Sequence, residues 1–170
     1  MSLMSRYGML ENIVSHSFEV AKVALFISVE LNKKGRTIDL SLVEAASLLH
    51  DLTKTECLKT KDDHAQTGSQ QLRRMGYERV GEVVAQHIWL VKEGDPSCVS
   101  EEEIVNYADK RVMHDRIVPL EERFSDLKAR YGQNQKAVDY LERLQKEICG
   151  IENKIFSILQ IDPNDIQRLL

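Results

Sequence analysis

The pattern that most constrains this chain is a set of helix-period apolar stripes interrupted by side chains that can bind metal. Val20, Val23, Ile27 and Leu31 recur at the spacing of one helix face, and His16 stands on that face four residues before Val20. Val80, Val84, His87 and Val91 repeat the arrangement, and so do Val105, Asp109 and Val112. Leu42, Ala45, Ala46 and Leu49 lead into the doublet His50-Asp51. Singly, each of these histidines is an ordinary core or surface residue. Together, His16, His87 and Asp109 share an inward orientation. A buried carboxylate is costly without a hydrogen bond, a counter-charge or a metal. Convergence of these groups on cations accounts for all of them at once.

The stripes predict an all-α fold. One helix is expected over about Met9 to Lys33, ended by Gly35, and a second from Ser41, where Ser41 and Glu44 have capping-box spacing. The second should carry His50 and Asp51 in its last turn. The polar run Thr53 to Asp63 reads as a connection, and His64 to Met75 as a helix stopped by Gly76. Gly94-Asp95-Pro96-Ser97 is a turn signal, a helix follows from near Ser100, and Pro119 marks a break. Helices are then expected to about Tyr131, through Glu147, and after the cap-and-first-turn pair Asp162-Pro163. No alternating strand pattern is evident. No flexible linker divides the chain, so a single domain is expected, with a core over about residues 9–117 and a helical C-terminal extension over 118–170. A face near Ala137, Leu141, Leu144 and Ile148 should bury against the chain's own core; the alternative is a second copy, as a homo-oligomer.

Composition narrows the partners. Lys and Arg total 23 against 27 for Asp and Glu, a formal net charge of −4, which argues against a role on a nucleic-acid backbone. A small anionic substrate fits better, because a bound cation dominates its local field. Cys57, Cys98 and Cys149 are odd in number and lack CxxC spacing, and the start lacks the pattern of a signal peptide. No run approaches 18 consecutive apolar residues. A cytoplasmic protein with no membrane role is expected. A Gly-rich phosphate loop and an HExxH motif are both missing. Trp89 and the tyrosines form no nucleic-acid motif.

His16, the doublet in Ser47-Leu48-Leu49-His50-Asp51 with Leu52-Thr53-Lys54 after it, and Asp109 in Tyr107-Ala108-Asp109-Lys110 resemble the HD phosphohydrolase superfamily. The resemblance spans about residues 13 to 112. It implies a helical HD core whose His16, His50, Asp51 and Asp109 bind a divalent ion. His64 and His87 resemble the added ligands of two-metal members, including bacterial diadenosine-tetraphosphate hydrolases, in which Asp51 would bridge both ions. In a one-metal version His64 or His87 would contact phosphate instead.

The implied activity is metal-dependent hydrolysis of a small phosphate ester or anhydride, a nucleotide or dinucleoside polyphosphate, by a metal-activated water. The mixed nitrogen and oxygen set suits Fe or Mn, with Co or Ni next. Lys54, three residues beyond Asp51, is placed to hold substrate phosphate, with a solvated helix-end lysine as the plain alternative. Lys61, Arg73, Arg74 and Lys92 are weaker candidates for the same work. His114 falls outside the ligand pattern. Two other readings are a one-metal nucleotidase and a catalytically weak nucleotide-binding regulatory module.

Overall fold

The computed structural model describes residues 2–91 and 98–170, and its architecture is all-α apart from a minimal hairpin. A single turn, α1 (Leu3–Arg6), precedes the central helix α2 (Glu11–Lys33). The first stripe packs as the sequence predicts: Val20, Val23, Ile27 and Leu31 are fully buried. Next comes α3 (Leu40–Leu49), capped by Asp39, whose carboxylate accepts the Leu42 N–H at 3.0 Å. The expected cap at Ser41 is therefore displaced by two residues, because an Asp at the helix entry competes for the same orphan amides. The helix also stops two residues earlier than expected. His50 is its C-cap and Asp51 lies in the following turn rather than in the last helical one.

The polar stretch read as a connection contains a helix, α4 (Lys54–Thr60). Only Cys57 of this helix is buried, and Leu58 is exposed, so it leaves no stripe to read. Asp63 caps α5 (His64–Arg74), accepting from Ala65 and Gln66 N–H, and Gly76 at φ 86° makes the left-handed turn beyond it. The next helix, α6 (Glu78–Val84), ends three residues before His87, and Val91 is 77% exposed. Val91 is thus off the face it was expected to share. The turn expected at 94–97 lies outside the described residues.

A capping box between Ser100 and Glu103 opens α7 (Glu101–Arg111). Val112, expected on its face, instead begins β1 (Val112–Met113), which pairs antiparallel with β2 (Arg116–Ile117). Strands of two residues are too short to show alternation.

Pro119 starts α8 (Leu120–Tyr131), and Asn134 caps α9 (Gln135–Leu159). The last of these continues well past Glu147. Gly150 sits inside it with open space around its Cα, and its cost of about 1 kcal/mol relative to alanine is small beside the stripe that carries on through it. That stripe, Leu141, Leu144, Ile148, Ile151, Ile155 and Leu159, packs within the chain, against α2, α7 and α8. Asp162 caps a 3₁₀ turn (Pro163–Asp165) that leads into α10 (Ile166–Leu169).

By length and apolar content α2 could also cross a membrane. Here it is the core helix, enclosed by α3, α7 and α9 and carrying buried His16, Ser17 and Ser28. A buried guanidinium ties the C-terminal helices to that core. Arg111 donates to the Val118 carbonyl at 2.7 Å, to the Tyr107 hydroxyl at 2.6 Å, to Glu152 of α9 at 3.2 Å and to the Pro163 carbonyl at 3.0 Å. Lys154 of α9 pairs with Glu103 of α7 at 2.9 Å.

Candidate metal centre

The interruptions in the stripes meet in one place. His16 comes from α2, His50 and Asp51 from the end of α3, His64 from the first turn of α5, His87 from the segment after α6, and Asp109 from α7. His16 Nε2 lies 3.0 Å from Asp109 Oδ1, and His50 Nε2 lies 3.5 Å from that same oxygen and 3.5 Å from Asp51 Oδ2. Across the site, Asp51 Oδ1 is 3.1 Å from His64 Nε2 and 3.6 Å from His87 Nε2, and these two nitrogens are 3.3 Å apart. Two donor sets close enough to hold an ion result: His16, His50 and Asp51, and Asp51, His64 and His87. Asp51 belongs to both, with one oxygen turned toward each.

Backbone carbonyls orient three of the rings. His16 Nδ1 donates to the His114 carbonyl at 2.8 Å, His50 Nδ1 to Ser47 at 2.7 Å and His87 Nδ1 to Val84 at 2.7 Å. A carbonyl can only accept, so Nδ1 carries the proton and Nε2 is the atom aimed inward. The turn that supplies the His114 carbonyl is left-handed, at φ 59°. Thr53 donates to the His64 carbonyl at 2.9 Å and pins the start of α5 beside the doublet.

The donor set fits a cation. His50 Nε2 and Asp51 Oδ1 are buried and make no hydrogen bond of good geometry. Each such atom costs about 1–3 kcal/mol to bury unsatisfied, and an ion would satisfy both. The charge state is suited to it as well. Burial works to raise both carboxylates. The charge of His50 and contacts from His50, His64 and His87 nevertheless hold Asp51 well below the usual range. Lys110 foremost, then His16 and His50, does the same for Asp109. Burial pushes His87 down to about 4, so it is a neutral donor. Burial also works against a charged His50, but Asp51 and Asp109 raise it to about 10. The two acids thus draw positive charge into the cage, and a bound ion would take the place of the His50 Nε2 proton.

Two lysines complete it. Lys54 lies where the sequence suggested, and its Nζ is 2.6 Å from Asp51 Oδ2. Lys110 is buried, 2.6 Å from Asp109 Oδ2, and donates to the His87 carbonyl at 3.0 Å. Of the weaker candidates, Lys61 and Arg74 are exposed, Arg73 pairs with Glu78 at 3.1 Å, and Lys92 lies outside the described residues. The His114 side chain, outside the expected ligand pattern, is exposed, but its carbonyl is part of the site.

A cavity of about 410 Å³ rises from Asp51, His64, His87 and Asp109 to a wall made by α8 and α9, including Leu127, Tyr140, Leu141 and Leu144. Trp89 stacks on Tyr140, with ring centroids 5.5 Å apart, and so packs behind this wall. A smaller cavity of about 140 Å³ opens beside it, lined by His16, Asn12 and Arg130. Asp51, Lys54, Arg123, Leu127 and Tyr131 border both. The sequence had singled out neither Arg123 nor Tyr140 for function.

A tRNA (cytidine(56)-2'-O)-methyltransferase of Thermoplasma volcanium is 30% identical to this chain over 135 residues, a match covering 72% of the chain and 38% of that protein. The chain therefore spans well under half the length of this curated relative. No solved structure matches it. The HD domain family matches residues 13–114, a stretch that takes in all six converging side chains. With more than half of its length inside that match, this chain belongs to the HD domain family of metal-dependent phosphohydrolases.

Proposed function

We propose that this protein hydrolyses a small phosphate ester or anhydride, of the nucleotide or dinucleoside-polyphosphate class, with two divalent ions held in the cage. The observation that supports this best is Asp51. It is 1% exposed, one of its oxygens is unsatisfied, and it is common to both donor sets. His16, His50, Asp51 and Asp109 would hold one ion, and Asp51, His64 and His87 the other. Fe or Mn suits this mixed set best, with Co or Ni next. When bound, such ions activate water and neutralise charge on phosphoryl oxygens.

The chain's own groups do the rest. The Ser47, Val84 and His114 carbonyls hold three imidazoles in position, so donor atoms need not reorganise. Lys54 neutralises Asp51 and sits on the border of both cavities, within reach of an incoming phosphate. Apolar side chains of α8 and α9 line one side of the larger cavity and would reduce the water around a bound substrate.

The substrate is a small molecule and not a nucleic acid or a membrane. A cavity of about 410 Å³ has the size of a small-ligand site, and a net charge of −4 lacks the basic footprint of an RNA-binding surface. The tRNA named by the relative belongs to a protein of which the matched stretch covers 38%. The cytoplasm is the setting that goes with this reading.

The test is anaerobic purification, metal analysis and a product-resolved assay over a nucleotide panel. About two ions per chain with phosphate-releasing turnover is expected. Full activity with one ion per chain would instead identify a one-metal nucleotidase. Tight nucleotide binding by the loaded protein without turnover would identify a regulatory module.

A further inference from the structure

Arg123 lies on α8, outside the stretch matched by the HD domain family. Its side chain is only 13% exposed. Nη1 reaches Asp126 at 3.3 Å, but that carboxylate is shared with Arg130 at 3.2 Å. The Arg123 Nε is buried with no hydrogen-bond partner. The guanidinium thus has a shared counter-ion and bonding capacity that its own chain leaves unused, which a ligand anion can take up.

Its position says what that is. Arg123 and Lys54 both border the two cavities, at the seam beside Asp51. Each has a carboxylate partner, Asp51 for Lys54 and Asp126 for Arg123, and the seam they share still presents two cations to a phosphate dianion. Guanidinium binds phosphate through paired donors, while an ammonium acts as a point charge. The chambers on either side of the seam differ. The larger is lined by Leu58, Ile88, Leu141 and Leu144, with Tyr140 held flat by Trp89. The smaller, about 140 Å³, is lined by Asn12, His114 and Arg130 and does not suit a second apolar ring.

We propose that Arg123, together with Lys54, anchors the phosphate of a phosphomonoester whose single ring-bearing group occupies the larger, apolar chamber. This rests on the phosphohydrolase reading and narrows it, because only one side of the phosphate offers a ring an apolar chamber.

Non-hydrolysable phosphonates test the anchor without turnover. Phenylphosphonate and methylphosphonate are titrated calorimetrically into Mn-loaded protein. The wild type is expected to bind the phenyl compound about tenfold more tightly, from burial of the ring. Arg123→Gln should weaken both compounds by about tenfold to a hundredfold, with metal content and Tm close to wild type, and Arg123→Lys should recover part of the loss. Unchanged phosphonate affinity in Arg123→Gln, or equal affinity of the wild type for the two compounds, overturns the proposal. If Arg123→Gln does not fold, Arg123→Lys carries the test: affinity equal to wild type would then overturn it, and a partial loss would support it. Arg123-dependent phosphonate binding in a protein that cleaves no phosphomonoester keeps the anchor and removes the hydrolase reading. Turnover with Arg123-independent binding does the reverse.

Discussion

The cage and the wall that faces it are held in place to different degrees. His16, His50, Asp51, His87 and Asp109 are all buried, and backbone carbonyls or lysines fix most of them a second time. The wall from α8 and α9 is looser: Tyr131 and Tyr140 are 54% and 39% exposed, and Arg123 has an unsatisfied donor. On the proposed function, the groups that would hold an ion are over-determined by packing, while those that would meet a ligand are left with unused bonding capacity. On this view, cage variants should lose metal and chemistry, and wall variants should change only how the substrate is held.

Asp51→Ala offers the largest contrast. Both donor sets lose their shared member, so metal should leave folded protein and kcat/KM should fall by about a thousandfold or more. Unchanged metal content in the folded variant would show that Asp51 is no ligand. His87→Ala should be more selective. The His16, His50 and Asp109 side keeps its donors, so occupancy should drop to about one ion per chain, with turnover reduced about a hundredfold. Loss of all metal in that variant would mean that the two halves fill as one. Lys54→Ala stands between cage and wall. Metal should stay, and kcat/KM should drop by about tenfold to a hundredfold, with full activity returning Lys54 to a charge-balancing role. The smallest effect is expected for Tyr140→Ala, a rise of about threefold to tenfold in KM for ring-bearing substrates with unaltered metal content. A wall variant that stripped metal would break the comparison.

The cage was legible in the sequence because burial of a polar side chain leaves a mark: His16, His87 and Asp109 stand where an apolar residue is due. His64 lies at a helix start and Lys54 three residues from the doublet, positions that spacing alone can locate. The remainder left no such mark. The contribution of His114 is a carbonyl, which every residue has, and its left-handed turn is not encoded by a glycine. Arg123 sits among Glu121, Glu122, Asp126, Lys128 and Arg130, so it reads as one more charge on a solvated helix. Its burial depends on how α8 packs against α7 and α9, which is long-range packing. The boundaries missed at α4 and α9 have the same origin, one helix with a single buried residue and one that packing carries on from Glu147 to Leu159.

Arg111 gives the wall a part in the cooperativity of the whole domain. It lies two residues from Asp109, and its charge is met by Glu152 on α9. Peeling α9 away would break the Glu152 pair of a guanidinium that is 2% exposed in the packed chain. Opening of α9 and loosening of α7 are therefore one event rather than two, and their amides should exchange with solvent as a single unit. The helix that lines the larger cavity should not fluctuate independently of the helix that presents Asp109. A ligand that quiets α9 thereby also steadies Asp109.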